Sequence, residues 1–138
     1  MPQTAIRKSG ASARLPPGGQ TEVASATGGE LTVSQHMIRP GFSPVDLLYA
    51  ALASCIVISA RQAAQKLGVL EQLGEVRADV TGDKATEGPN RVERFHVKVE
   101  IDGSLDVATK RRIAEAAEFE LCTVGNTLRG SPAFVLAD

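Results

Sequence analysis

Short runs in which apolar and polar residues alternate open the chain, Thr21 to Ala26 and Glu30 to Ser34, divided by Thr27-Gly28-Gly29 and preceded by the break Pro16-Pro17-Gly18-Gly19. A period of two sends successive side chains to opposite faces, and glycine and proline clusters end such runs, so residues 1–38 are expected to form a meander of short antiparallel strands. The rhythm then changes. Ser43-Pro44-Val45-Asp46 sets a hydroxyl at an N-cap, a proline at the first helical position and an acid at the third, a combination that satisfies the orphan amides of a helix start. Beyond it Leu48, Ala51, Leu52, Cys55, Ile58 and Ser59 recur at three- and four-residue steps, while Leu47, Ala50 and Val57 extend the apolar surface round most of the circumference. Such a helix has to be covered on nearly all sides. It turns polar at Arg61, Gln62, Gln65 and Lys66 and is expected to stop at Gly68, a residue suited to the position just past a helix end.

Alternation returns over Gly74 to Gly82 and Arg91 to Ile101, where Val76, Ala78 and Val80 share a face, and Phe95, Val97, Val99 and Ile101 oppose Arg94, His96, Lys98 and Glu100. With the polar loop Asp83 to Asn90 between them, the two runs predict an antiparallel hairpin. A helix is expected from about Leu105 to Glu120, a short helical or turn segment over Cys122 to Leu128, and a closing strand over Ala133 to Ala137. Strands, a central helix, two strands, helices and a last strand make an α+β pattern.

At 138 residues the chain reads as a single domain, since two independent cores would each be marginal. Fifteen Lys and Arg against 16 Asp and Glu leave a net charge of −1, so no field gathers phosphate backbones, and aromatics at 4% give no stacking platforms. Nucleic acid is therefore not expected as a partner. Nor is a membrane, because the apolar stretch Leu47 to Ala60 is interrupted by Ser54, Cys55 and Ser59 and reads as too short to span a bilayer. The first residues lack the apolar region of a signal peptide, which points to the cytoplasm.

Two cysteines, Cys55 and Cys122, are the residues with chemistry to offer. In a reducing compartment such a pair is catalytic, redox-sensing or simply buried, and their number alone leaves all three open. His36 and His96 have no companion cysteines or carboxylates at ligand spacing, so no metal is expected, and they read as surface or satisfied residues. Ser43, Ser54 and Ser59 have no His and acid arranged for nucleophilic catalysis, the glycines match no phosphate or dinucleotide motif, and Lys110-Arg111-Arg112 reads as a solvated helix face. Asn126 is expected to bond local backbone.

The block Ser43-Pro44-Val45-Asp46-Leu47-Leu48-Tyr49-Ala50-Ala51-Leu52-Ala53-Ser54-Cys55 resembles the central-helix motif of the OsmC/Ohr superfamily, and Cys122-Thr123-Val124-Gly125-Asn126-Thr127-Leu128 resembles its second cysteine motif. The strands before, between and after these motifs fit as well, so the resemblance spans nearly the whole chain. It implies an OsmC-like fold, an intertwined homodimer in which antiparallel sheets wrap paired, long, buried central helices. It also implies a thiol-dependent peroxidase acting on organic hydroperoxides without metal or organic cofactor, with Cys55 peroxidatic, Cys122 resolving and a dithiol reductant restoring both. Two positions depart from the family's pattern. The proline common after the second cysteine is Thr123, and the glutamate common ten residues before the first is Val45.

A thiol inside an apolar helix has its pKa raised unless a cation or donor stands beside it. The resemblance assigns that cation to an arginine of the N-terminal strands, held by the missing glutamate. Arg14 suits the position best, with Arg7 and Arg39 as alternatives. Asp46 stands beside the Val45 position and is a candidate for the same task, but at 100° per residue it lies half a turn out of phase with Cys55, which makes helix capping its first role. The departure at Val45 keeps a second reading in view, a dimer that binds a small molecule or lipid without efficient peroxidase turnover. A redox sensor is a third, with no DNA-reading motif to support it.

Overall fold

The computed structural model describes residues 8–34 and 39–137. The candidates Arg7 and His36 lie outside the described residues. The chain divides into two compact units, the first ending at Leu47 and the second beginning at Leu48.

In the first unit, β1 (Ala11–Arg14), β2 (Thr21–Ser25) and β3 (Glu30–Val33) form an antiparallel sheet in that order. The strand β1 had no alternating apolar signal, since Ala11-Ser12-Ala13-Arg14 is small and polar, and it forms by pairing with β2. Gly28 turns the chain between β2 and β3 at φ 102°, a backbone that favours glycine, and the Ser25 hydroxyl accepts from Gly29 N–H at 2.8 Å. Val33 is the buried residue of this sheet, whereas Leu31 stays exposed. A sheet this short with so little apolar cover is marginal by itself.

The helix α1 (Pro44–Lys66) begins as the sequence predicts: Ser43 N–H donates to Asp46 Oδ2 at 3.0 Å and Asp46 N–H to Ser43 Oγ at 3.1 Å. It ends before Gly68, at φ 73°.

In the second unit a 3₁₀ turn, Leu70–Gln72, leads into β4 (Leu73–Lys84), which pairs with β5 (Val92–Gly103) as an antiparallel hairpin. Val76, Ala78, Val80, Phe95, Val97, Val99 and Ile101 pack against a core of Leu52, Ile56, Ala60, Ala63 and Ala64 from α1 with Ile113, Ala117 and Cys122. Tyr49 meets Phe95 edge to face, ring centroids 6.1 Å apart, and Gly82 makes room for it: a Cβ there would come within 2.6 Å of the Tyr49 hydroxyl. The other face of the hairpin carries exposed pairs, among them His96 with Asp83 at 2.8 Å and Arg77 with Asp79 at 3.2 Å.

After β5, Asp106 caps α2 (Val107–Glu115) by accepting from Thr109 N–H at 2.7 Å. The helix expected to run to Glu120 changes character at Ala116. Residues Ala116–Leu121 form a π-type turn, closed by Cys122 N–H donating to the Ala117 carbonyl at 3.1 Å, and α3 (Thr123–Arg129) follows.

Two sequence expectations change. No closing strand forms over Ala133 to Ala137, because among the described residues no strand pairs with that segment: Phe134 and Leu136 are each 97% exposed. And α1, at 23 residues with mean hydropathy 1.5 over its most apolar window, is long and apolar enough to cross a bilayer. Its interruptions do not shorten it, since Ser54 Oγ is satisfied inside the helix by the Ala50 carbonyl at 2.7 Å. Its packing marks it as a core helix: Leu52, Ile56, Ala60, Ala63 and Ala64 are buried against the hairpin and α2. The fold is α+β, with antiparallel sheets and one long helix.

Candidate functional site: a reduced cysteine pair

Cys55 lies on α1 among Leu52, Ile56 and Ser59, on the side of the helix that enters the core. Cys122 is fully buried and is the N-cap of α3. The π-type turn delivers it there. Its sulfur takes the part a serine or aspartate oxygen plays elsewhere, accepting from Gly125 N–H at 3.3 Å. Both thiols are free, and Cys55 packs against the cluster that contains Cys122.

The electrostatics separate the two. Burial pushes the Cys55 pKa up, but the Val124 N–H, the Cys122 thiol, the Thr123 N–H and the Ser59 hydroxyl each donate to its sulfur, and together they hold it below the ordinary thiol value. Burial also pushes Cys122 up; Gly125 N–H opposes this, yet the hydrogen bond to Cys55 and the negative charge of that thiolate add to it, and the Cys122 pKa is raised. These amides belong to the first turn of α3, where N–H groups have no carbonyl of their own helix to reach. Thr123 contributes one because it is not a proline.

A hollow of about 160 Å³, which neither cysteine lines, is bounded by Leu52, Ile56, Phe95, Val97, Gly125 and Leu128, with Glu118 and Arg129 as its charged residues. Arg129 donates to the Glu118 carbonyl at 3.1 Å and lies over the Phe119 ring at 5.3 Å. Asn126 Nδ2 donates to the Glu120 carbonyl at 3.2 Å, the local backbone bond expected of it.

The remaining sequence candidates belong to the first unit. Arg14 stands opposite Glu22 in the first-unit sheet and pairs with it at 3.3 Å, both side chains well exposed. Arg39 is exposed in the segment before α1. Asp46 is engaged with Ser43 at the helix start. Sequence reasoning missed Ser59 and the Thr123 and Val124 amides. Ser59 had a signal, its spacing of four from Cys55; the amides had none, because only the fold joins positions so far apart in the chain. Among the described residues no cluster of three or more His, Cys, Asp or Glu is placed to hold a metal ion.

The profile of the family described as OsmC-like protein matches residues 35–137. No curated protein matches the chain. Among solved structures, an OsmC-like protein from Mycoplasma pneumoniae superposes with a TM-score of 0.77 at 20% identity, covering 90% of this chain and 89% of that one. The organic hydroperoxide resistance protein OhrB of Bacillus subtilis superposes at 0.65 and 20% identity, with 91% and 93% covered. An organic hydroperoxide resistance protein OsmC from Legionella pneumophila gives 0.65 at 21%, with 92% and 93% covered. At such identities the likeness carries the fold alone, and with the family profile spanning most of the sequence, the chain belongs to the OsmC-like family.

Proposed function

We propose that the chain is a cysteine-based peroxidase that reduces organic hydroperoxides. The observation that carries this reading is the pair itself: two free cysteines packed in one cluster, Cys55 with its pKa lowered and Cys122 with its pKa raised. A peroxidatic cysteine has to be a thiolate, and a resolving cysteine is best kept protonated until it is needed. In the first step the Cys55 thiolate attacks the outer peroxide oxygen, the O–O bond breaks, and the alkoxide takes up a proton and leaves as an alcohol. Cys55 is now a sulfenic acid. The Cys122 thiol then attacks the Cys55 sulfur, an S–S bond forms and water leaves, which protects the sulfenic acid from further oxidation. A dithiol reductant returns both residues to thiols. No metal or organic cofactor enters the cycle.

The hollow lined by Leu52, Ile56, Phe95, Val97 and Leu128 supports an alkyl or aryl hydroperoxide over hydrogen peroxide, since it offers apolar cover to a carbon tail. Arg14 is the proposed cation for the peroxide oxygens, and Asp46, at the start of the helix that carries Cys55, holds that start in place and is the candidate for the acid absent at Val45. The family resemblance and the incomplete burial of α1 support a homodimer as the working form: Ile58, in the middle of this apolar helix, is 59% exposed. Residues 35–137, matched by the family as one stretch, run across Leu47, which supports a single OsmC-like domain over 1–138. A cytoplasmic location goes with thiols that are kept reduced.

The test is free-thiol loss by mass spectrometry after one equivalent of cumene hydroperoxide is added to the reduced protein and to Cys55→Ser. The expected result is rapid formation of an intramolecular Cys55–Cys122 disulfide, absent in the variant. Slow or absent oxidation would favour the second reading, a small-molecule or lipid-binding dimer, which rests on Val45 standing where the family's glutamate is common.

A further inference from the structure

The helix α3 carries a buried glycine where its backbone asks for none. Gly125 lies inside the helix and is not among the glycines of positive φ, so alanine would be the better helix former there. Space accounts for the choice. A Cβ at Gly125 would stand 3.2 Å from Arg129 Nη1 and 3.4 Å from Cys122 Sγ, the first a tighter approach than side chains ordinarily make. The guanidinium of Arg129 thus occupies room that any other residue at this position would take.

That guanidinium is fixed but not neutralised. Nη1 donates to the Glu118 carbonyl at 3.1 Å, and the group lies over the Phe119 ring at 5.3 Å. Neither contact brings a carboxylate, and Arg129 enters none of the ion pairs among the described residues. It borders the hollow walled by Leu52, Ile56, Phe95, Val97 and Leu128. At about 160 Å³ this space falls below the range of pockets for drug-sized ligands, which begins near 300 Å³, so it suits a short chain. Apolar walls that end at one planar fork of N–H donors match a ligand with an alkyl tail and a planar anionic head, since a carboxylate can accept two parallel bonds from a guanidinium.

We propose that the hollow binds a small monocarboxylate, its alkyl chain against Leu52, Ile56, Phe95, Val97 and Leu128 and its carboxylate on Arg129. The site does not rest on the peroxidase reading, because neither cysteine lines it. Glu118, the other charged residue of the lining, opposes the ligand's charge and holds the affinity down.

The experiment titrates sodium hexanoate, hexan-1-ol and hexylamine, which share one chain and differ in the head group, into the reduced full-length protein. Nuclear magnetic resonance follows the signals of Gly125, Leu128 and Val97. Hexanoate is expected to shift all three, with hexan-1-ol about tenfold weaker and hexylamine weaker still. Arg129→Gln is expected to bring hexanoate to the level of the alcohol and leave the alcohol unchanged, while Glu118→Gln tightens hexanoate alone. Hexanoate that shifts none of these signals up to about 20 mM would overturn the proposal. So would an alcohol that binds as tightly as the carboxylate, a comparison made on the parent chain that needs no variant to fold. No probe contains a peroxide bond, so hexanoate binding by a protein that leaves cumene hydroperoxide intact supports the site and counts against the peroxidase reading alone.

Discussion

Cys55 packs against the cluster in which Cys122 is buried, and negative charge on Cys55 is one of the causes that raise the pKa of Cys122. Each cysteine thus sets the other's protonation. As pH rises, Cys55 loses its proton before an ordinary thiol does, and Cys122 after, so between the two titrations a nucleophile and a protonated partner coexist. Site-resolved iodoacetamide labelling over pH 5 to about 10 is expected to begin at Cys55 below a free-thiol standard and at Cys122 above it. Labelling of both residues in step with the standard would remove the basis of the role assignment.

Thr123 is the first residue of α3, and its backbone N–H is one of the causes that lower the Cys55 pKa. Proline has no such donor but is well tolerated at a first helical position, and Cys122, at φ −71° and ψ 104°, already has the extended backbone that a following proline demands. Thr123→Pro therefore isolates one hydrogen bond. The expected outcome is a chain with unchanged circular dichroism whose Cys55 titrates about one unit higher, while Thr123→Ala titrates like the parent.

Arg14 is paired with Glu22 but remains exposed, so the pair itself adds little to stability, about 0–1 kcal/mol. Its proposed work is on the peroxide. Arg14→Ala is expected to slow cumene hydroperoxide consumption at least tenfold, with the melting temperature within a degree or two of the parent and Arg39→Ala close to the parent rate. If Arg39→Ala is the slower of the two, the assignment passes to Arg39.

Ile58 on α1 and Phe134 near the C-terminus present apolar surface to water, at 59% and 97% exposure. Covering such groups is worth about 1.5–3 kcal/mol each. Analytical ultracentrifugation is expected to give twice the chain mass for the parent. Ile58→Lys, which would bury a charge, is expected to weaken the dimer at least a hundredfold. A parent that sediments as a monomer at high concentration would count against the homodimer.

Much of this architecture can be read from local pattern. The start of α1 is written in Ser43-Pro44-Val45-Asp46, and β4 and β5 in period-two alternation, because each is dictated by residues adjacent in the chain. β1 is not, since Ala11-Ser12-Ala13-Arg14 becomes a strand only through β2. The segment around Phe134 fails the other way: its residues are strand formers, but a strand also needs a neighbour. Of the site, the two cysteines and their order are legible through the resemblance. The donors around Cys55 are not, as Thr123 and Val124 reach it from the far end of the chain and through backbone atoms that carry no sequence signature.

The π-type turn Ala116–Leu121 holds one residue more per turn than an α-helix, and the Cys122 N–H closes it on the Ala117 carbonyl. That additional residue is slack stored next to the sulfur. If the proposed disulfide draws Cys122 toward Cys55, tightening of this one turn is expected to take up the movement, with Ile113 and Ala117 left seated in the core. The Cys122 amide is the expected reporter: its hydrogen exchange would change between reduced and oxidised protein more than that of β4 and β5.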